Sequence, residues 1–523
     1  MAQHYWLVAA AVWAMFAACA AGGAELRSLR GDDVVFMYAP DVAALKAYGA
    51  TFVAWGGAHT AQRVREMREI GVHSTGSMWC LTAGAKALHE SAELREAVVR
   101  DIAGAPIIVP WLFDHTHEGT PSWWGCTNHP VFRQHMRERV RQVMSGGADG
   151  LHVDDHLGSA APTAFAGGCF CDHCMAEFRR WLIANSTPEL LAAAGVSSFE
   201  NFDYRQLVRR HAGTREEYLK AVARIPLHNE FVDCQLALAA ENVRSLGQLA
   251  AEVAGHPVTL SANTCLPNLN HIVVTKYLTH LVGEVDHGAR SGTKNLMNVV
   301  RAYRMAEALG RPMAATASGW DWAYVKEHRC ENLVRLWIAL SYACGQRLMV
   351  PHRMWCFTRE KGTHWYDGPV EAYAPLYRFV RASGALFRDT RTVGPLAVPD
   401  NLPRKLDRLA DRRAFAAALD QTRPQPLAAG KRVWVMPRQR SDGALVVHVL
   451  NLDYDGDGDR IAPARNVCVR LPAGLSTFRT GTAIVHSFDA GPVKVPLTAT
   501  DAGLELTLPE LRLWAIVLID GQP

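Results

Sequence analysis

The stretch Gly147-Ala-Asp-Gly-Leu-His-Val-Asp-Asp-His156 decides how the rest of the chain is read. An amphipathic run precedes it, with Val131, Phe132, Met136, Val140, Val143 and Met144 at three- and four-residue spacing. Gly146-Gly147 stops that run. Leu151 and Val153 then alternate with His152 and Asp154, the pattern of a short strand whose successive side chains point to opposite faces. In a parallel barrel the apolar pair faces the surrounding helices and the polar pair points inward. Asp154 then sits at the C-terminal mouth, where barrel enzymes keep their chemistry. The competing reading is an Asp that caps the following loop or bonds a neighbouring strand.

Outward from this stretch, strand-like and helix-like segments alternate. Strand-like runs lie at residues 34–38, 51–55, 72–79, 257–263, 280–286, 312–317 and 347–351, with the stretch itself as the fourth. Helix-like runs lie at 41–48, 61–70, 215–253, 293–309, 331–343 and 371–386. Residues 105–113 are also strand-like but fall in a long excursion after the third strand. The alternation predicts an α/β fold, a (β/α)8 TIM barrel with insertions over residues 30–392. From Gly394 the texture changes to short alternating runs at 433–436, 444–450, 466–471, 483–488, 504–508 and 513–519, separated by Gly, Pro and Asp. That pattern predicts a C-terminal antiparallel β-sandwich domain over residues 393–523.

A chain of 523 residues is too long for one compact core, so a large domain plus a smaller one is the expectation. Apolar content of 49%, charge of 20% and a net charge of +4 describe an ordinary globular protein with no nucleic-acid surface. Residues 6–21 are almost wholly apolar and lead through Ala21-Gly-Gly-Ala24 into polar sequence. This predicts an export signal over residues 1–24, although the usual Lys or Arg before the apolar core is missing. Met15-Phe-Ala-Ala-Cys19 loosely resembles a lipoprotein signal, with Cys19 acylated, and a retained membrane anchor is a third reading. The expected location is periplasmic, extracellular or lipid-anchored at the cell surface, with membrane contact only through this segment. No other stretch is apolar enough for long enough to span a bilayer.

The sixth strand-like run repeats the logic of the fourth, with Leu281 and Val285 facing out, Glu284 and Asp286 facing in, and Gly283 giving space. One carboxylate from each of two barrel strands is the minimum equipment for glycosidic cleavage. Asp154 is cast as nucleophile or base and Glu284 as general acid, with Asp286 and the neighbouring Asp155 as further candidates. An ion pair of Glu284 or Asp286 with Arg290 or Lys294 is the alternative. Trp55, Trp79, Trp320, Trp322 and Trp355 lie at or just beyond strand ends, and Trp123-Trp124 in the excursion. Flat rings with a polar edge suit the CH faces of a sugar, although a single Trp is more often core packing. His152, His156, Asn263 and His352 are placed in the same substrate pocket. The expected partner is an oligo- or polysaccharide.

Cys169-Phe-Cys171-Asp-His-Cys174 is the most specific local signal. Three thiols within six residues are too close to pair with one another but suit a tetrahedral metal. Cys126, just before the helix that leads into the fourth strand, is the natural fourth ligand. Four thiolates make a closed site, so the expected cofactor is a structural zinc, with no organic cofactor. Disulfides to distant cysteines and a catalytic metal are the alternatives. Asp453-Tyr-Asp455-Gly-Asp457-Gly458-Asp459 opens like a calcium loop, but its twelfth position is Ala464, and a solvated hairpin turn is expected instead. Asp114-His-Thr-His117-Glu118 reads as a polar rim loop rather than a metal site.

The segment from Cys169 to Leu182, with Cys126 upstream, resembles the zinc-cysteine segment of family 42 glycoside hydrolases, the barrel β-galactosidases. Those enzymes carry an Asn-Glu acid/base pair at the end of strand four, where this chain has Asp154-Asp155. Strand four here looks like that of families with an Asp nucleophile, such as the α-amylase and α-fucosidase groups. Over most of residues 30–520 the chain is similar to uncharacterised "hypothetical glycosyl hydrolase" families built from a barrel and a C-terminal β-sandwich. The resemblance implies an exported hydrolase without naming its substrate. Two competitors follow from the same residues: a non-catalytic glycan-binding barrel, with Asp154 or Glu284 held in ion pairs, and a polysaccharide lyase.

Overall fold

The computed structural model describes residues 26–421, 424–430, 432–475 and 481–520. The expected signal segment, with Cys19, lies outside the described residues.

Eight parallel strands follow one another in chain order: β1 (Val35–Phe36), β2 (Phe52–Val53), β3 (His73–Trp79), β4 (Gly150–Asp154), β5 (Thr259–Ala262), β6 (Leu281–Val285), β7 (Met313–Ala317) and β8 (Arg347–Leu348). β1 to β5 form one parallel sheet and β6 to β8 another. A parallel bridge between Asn263 and Val282 joins the sheets at one seam. At the other, the Val350 N–H donates to the Val35 carbonyl at 2.8 Å.

The period-two pattern of β4 is realised as read. Leu151 and Val153 are fully buried against the helices, and His152 points the other way and bonds Ser261 of β5 at 3.0 Å. One layer below, His73 of β3 meets Thr259 of β5 at 2.9 Å. The strand interior is therefore lined with polar groups that pair in part, since His152 Nε2, Thr75 Oγ1 and His280 Nε2 find no partner among the described residues.

Helix α1 (Pro130–Met144) feeds β4. Pro130 takes the first helical position, where its missing N–H costs nothing, and Phe132, Met136, Val140, Val143 and Met144 form the buried stripe. The stop needs both glycines: a Cβ on Gly146 would lie 2.0 Å from the His59 carbonyl oxygen, and Gly147 has φ +80°. Helix α2 (His228–Ala254) presents Leu236, Ala239, Ala240, Val243, Leu246, Leu249 and Ala250 to the same core.

Residues 105–113 form no strand; they make single bridges at Pro106 and Ile108 and a 3-10 turn at Pro110–Leu112. Pro106 and Pro110 lack the N–H that a ladder needs. This excursion and the segment after β4 share a separate hydrophobic cluster, in which Trp124, Phe170, Phe178, Tyr204 and Phe231 surround the cysteines.

The C-terminal region is one continuous antiparallel sheet path, from Thr390–Thr392 through Val433–Arg440, Leu445–Asn451, Trp514–Ile519, Gly481–Ser487, Val493–Thr500 and Gly503–Leu511 to Ala464–Pro472. Val493–Thr500 is a strand that the sequence reading did not pick out, because Lys494, Pro496 and the threonines dilute its apolar alternation. Val435, Val447 and Val449 from one end of the path share a cluster with Val469, Leu471 and Leu506 from the other, so the sheet folds back on itself. Its opposite face, with Met436, Val446, Leu450, Trp514 and Ile516, belongs to the main core of the parallel strands. Between the two regions lies a helix, Leu409–Asp420, where Phe415 and Leu419 enter that core. The Asp453–Asp459 turn is a hairpin, and Asp459 accepts from the Asn332 and Leu333 N–H groups at 2.9 and 3.2 Å, capping helix α3 (Glu331–Ala343).

Candidate active site and metal centre

Asp154 ends β4 with its side chain among the C-terminal ends of the strands. Its Oδ1 accepts from Asn263 Nδ2 at 3.0 Å and from the Asp155 N–H at 2.9 Å, and Trp55 donates to it as well. Burial raises its pKa, opposed by those three donors. Asp155 holds φ +45°, a left-handed conformation that Asp tolerates better than most residues, and this turns its N–H back to Asp154. Burial, then the charges of Asp154 and Glu284, push the Asp155 carboxyl well above its usual range.

Glu284 comes from β6, one seam away. Burial and the Asp154 charge raise it to about 7, while Asn263 donates to it and partly offsets the rise. The Asn263 amide thus serves both carboxyl groups. A Cβ on Gly283, next to Glu284, would lie 1.9 Å from the Thr264 carbonyl oxygen, so a glycine is required for β6 to approach the end of β5. Among the described residues neither Glu284 nor Asp286 pairs with Arg290 or Lys294. Asp286 is exposed and accepts from the Gly288 N–H at 3.0 Å, which makes it a turn cap away from the pair.

The other expected substrate residues divide. Trp79 lies in register with Asp154 and is 44% exposed, an open wall of the cleft. Trp55 is buried, its ring 4.3 Å from that of His152; it donates to Asp154, and neither ring offers a free surface. Burial depresses His152 to about 3, which keeps the ring neutral. Trp320 is 57% exposed and meets Phe357 edge-on at 4.4 Å, and Trp355 also meets Phe357 edge-on at 5.5 Å. His352 stands 3.5 Å from Asp367. His156 and Trp124 are buried on the far side of Asp155. Trp322 is core.

Two contributors escaped the sequence reading. Tyr38, just past β1, faces both carboxylates, and burial followed by the charges of Asp154 and Glu284 raises its pKa, so the phenol stays a donor. Asp321 accepts from the His287 and Ala289 N–H groups at 2.8 and 2.7 Å and so pins the loop that follows Glu284. Its signal was legible: Ser318 and Asp321 form a capping box at the start of helix Gly319–His328.

Cys126, Cys169, Cys171 and Cys174 bring their Sγ atoms within 4.8 Å of one another. Cys126 lies 3.6 Å from both Cys171 and Cys174, far beyond a disulfide bond and close to the spacing of thiolates on one tetrahedral ion. Cys171 caps the helix Asp172–Ala184, whose N-terminus favours thiolate. Asn128 donates to Cys174 Sγ at 3.3 Å and is itself fixed by Gln235 at 2.9 Å, the outer shell such a site needs. The four residues can hold a metal, and their chemistry fits one.

No known family profile matches the chain. Over 288 residues, 52% of the chain, it is 26% identical to an α-agarase of Thalassotalea agarivorans, and it spans 19% of that protein's length. In structure it is similar to an α-L-fucosidase, isoenzyme 2, of Paenibacillus thiaminolyticus (TM-score 0.56, 11% identity, 95% of this chain and 100% of that one). It is also similar to a cycloisomaltooligosaccharide glucanotransferase of a Paenibacillus species (TM-score 0.54, 10% identity, 93% and 84%). At such identities the likeness concerns the fold.

Proposed function

We propose that the chain is a glycoside hydrolase, built as a (β/α)8 barrel over residues 30–392 with a C-terminal β-sandwich over 393–523. The observation that carries this is the Asp154–Asn263–Glu284 arrangement: two carboxyls from different strands share one amide and, among the described residues, are paired with no cation. A binding protein that used them as ion-pair anchors would not leave them so. Burial raises Asp154 and three donors oppose that rise, while burial and the Asp154 charge keep the proton on Glu284 up to about 7, a division of labour that suits glycosidic cleavage. One shared amide keeps the two carboxyls close together. That favours retention: Asp154 attacks the anomeric carbon while Glu284 protonates the departing oxygen. Glu284, now ionised, then takes a proton from the water that releases the sugar from Asp154.

The agarase similarity puts agar-type galactans first among substrates. Zinc is the proposed metal at the four cysteines, holding the loop after β4 in place. Export, through the N-terminal segment or a lipid on Cys19, completes the reading. The test is reducing-sugar release from agarose and from a panel of aryl glycosides, with Asp154→Asn and Glu284→Gln beside the natural chain. Loss of about 100-fold or more in both variants is expected, the scale of removing acid–base help. Unchanged cleavage in Asp154→Asn sinks the assignment.

A further inference from the structure

Beside Asp155 lies a pocket of 130 Å³ whose histidines and aromatic rings the two-carboxylate chemistry does not use. The excursion after β3 and the segments after β4 and β5 build it. Asp155, His156, Asn263 and His271 supply its polar side, and Trp111, Trp124 and Phe165 its aromatic side. Its volume is well below the roughly 300–1,000 Å³ of pockets that take drug-sized ligands, so it admits one ring and not two.

His156 is 1% exposed, yet neither of its ring nitrogens has a hydrogen-bond partner, and His271 Nδ1 is equally unmet. The rings stand edge to face at 5.0 Å, with only the Asn263 carbonyl turned toward both, outside good bonding geometry. Buried polar atoms in proteins are nearly always satisfied, so a group of orphans around one cavity points to a ligand that completes them. Phe165 is 53% exposed, and Trp124 stands edge-on to it at 5.7 Å, leaving an aromatic lip at the entrance.

We infer that this pocket is a subsite for one uncharged pyranose unit of the substrate, its hydroxyls read by His156, His271 and Asp155 and its CH face resting on Phe165. Among the described lining residues there is no Lys or Arg. Burial lowers both histidines, His271 to about 4, so neither supplies a cation at neutral pH. A uronate or a sulfated sugar would bring its charge into a cavity with no counterion, beside a carboxyl, and is rejected. The inference rests on the hydrolase reading only for the direction in which the chain runs past Asp155.

The experiment is titration of the full chain carrying Glu284→Gln, which does not turn over, with agaro-oligosaccharides and with oligogalacturonates of equal length. Tryptophan fluorescence and calorimetry are the readouts. The neutral oligosaccharide is expected to bind at least about 10-fold more tightly than the charged one. Adding His271→Ala or Phe165→Ala is expected to weaken it by about 10-fold, one hydrogen bond or one ring contact. Phe165 is exposed, so its truncation tests the pocket without threatening the fold. Equal affinity for both sugars, no binding of either, or binding unmoved by both substitutions overturns the subsite. Hydrolysis abolished by Asp154→Asn but indifferent to His271→Ala defeats the subsite and spares the hydrolase. Binding that needs His271 in a chain that hydrolyses nothing does the reverse.

Discussion

Replacing Glu284 with Gln abolishes the proposed activity, and it is also expected to make the protein more stable above neutral pH. The fold raises this carboxyl from 4.5 to about 7 by burial and by the Asp154 charge. Below pH 4.5 the folded and unfolded chains both hold the proton, so the group contributes no pH dependence there. Between 4.5 and 7 the unfolded chain releases it while the folded one keeps it, so stability falls as pH rises, by about 1.4 kcal/mol for each pH unit. Above 7 both are ionised and the full penalty, about 3 kcal/mol, is in place. Glutamine keeps a carbonyl to accept from Asn263 and carries no charge to desolvate. Urea unfolding of the two proteins at pH 5, 6, 7 and 8 gives the difference, to which Asp155, itself raised by the Glu284 charge, also contributes. The variant should gain on the natural chain steadily through this window and level off near 3 kcal/mol. A difference that is constant across pH, or that favours the natural chain at pH 8, would show that Glu284 is not held as a neutral acid.

Further outcomes follow from other parts of the molecule. The kcat/KM of the proposed hydrolysis is expected to decline as pH rises through about 7, as Glu284 loses its proton, and an alkaline limb displaced by more than a unit contradicts its role as acid. Cys174→Ser should release bound metal, measured by elemental analysis, and destabilise the chain by more than about 4 kcal/mol, whereas Cys468→Ser should do neither. Asp233→Ala strands the buried Arg412 guanidinium, which it meets at 2.8 Å, and should cost about 3–5 kcal/mol in chemical denaturation, with Asp233→Ala/Arg412→Met recovering most of it. Asp459→Ala removes the cap of α3 and should lower stability by about 1–2 kcal/mol without changing the metal content.

The parallel strands were legible because each shows the same local sign, an apolar core ending in a polar or aromatic residue. Asp154, Asn263 and Glu284 were legible for the same reason: period-two alternation fixes which face they take, and a strand end fixes their height. The cysteines announced themselves by spacing. What alternation cannot give is how far an aromatic ring turns inward after a strand stops. Trp55 and Trp79 both close strand-like runs, yet the pairing of β2 with β3 sets Trp55 level with Gly76, three residues before Trp79, and one is 5% and the other 44% exposed, with His152 packed against the first. His271 and Tyr38 were out of reach for a related reason, since they are delivered by loops whose course depends on neighbours distant in sequence. Helix Gly319–His328 was hidden by Trp320 and Trp322, which read as sugar contacts and drew the eye from the capping box.

The grip of the C-terminal sheet on the parallel strands bears on how such a chain can be cut or recombined. Asp459 ties α3 by its end, Arg304 donates to the Leu396, Ala397 and Leu419 carbonyls, and Trp514 and Ile516 are shared core. Severing the chain near residue 393 would therefore bare an oily flank and leave a helix and a guanidinium without their partners. A fragment ending there should precipitate when expressed alone, and grafting this sheet onto a foreign barrel would need the receiving helices redrawn. In this protein the smaller region is a keystone, and moving it as an independent cassette would strip both parts of the core they share.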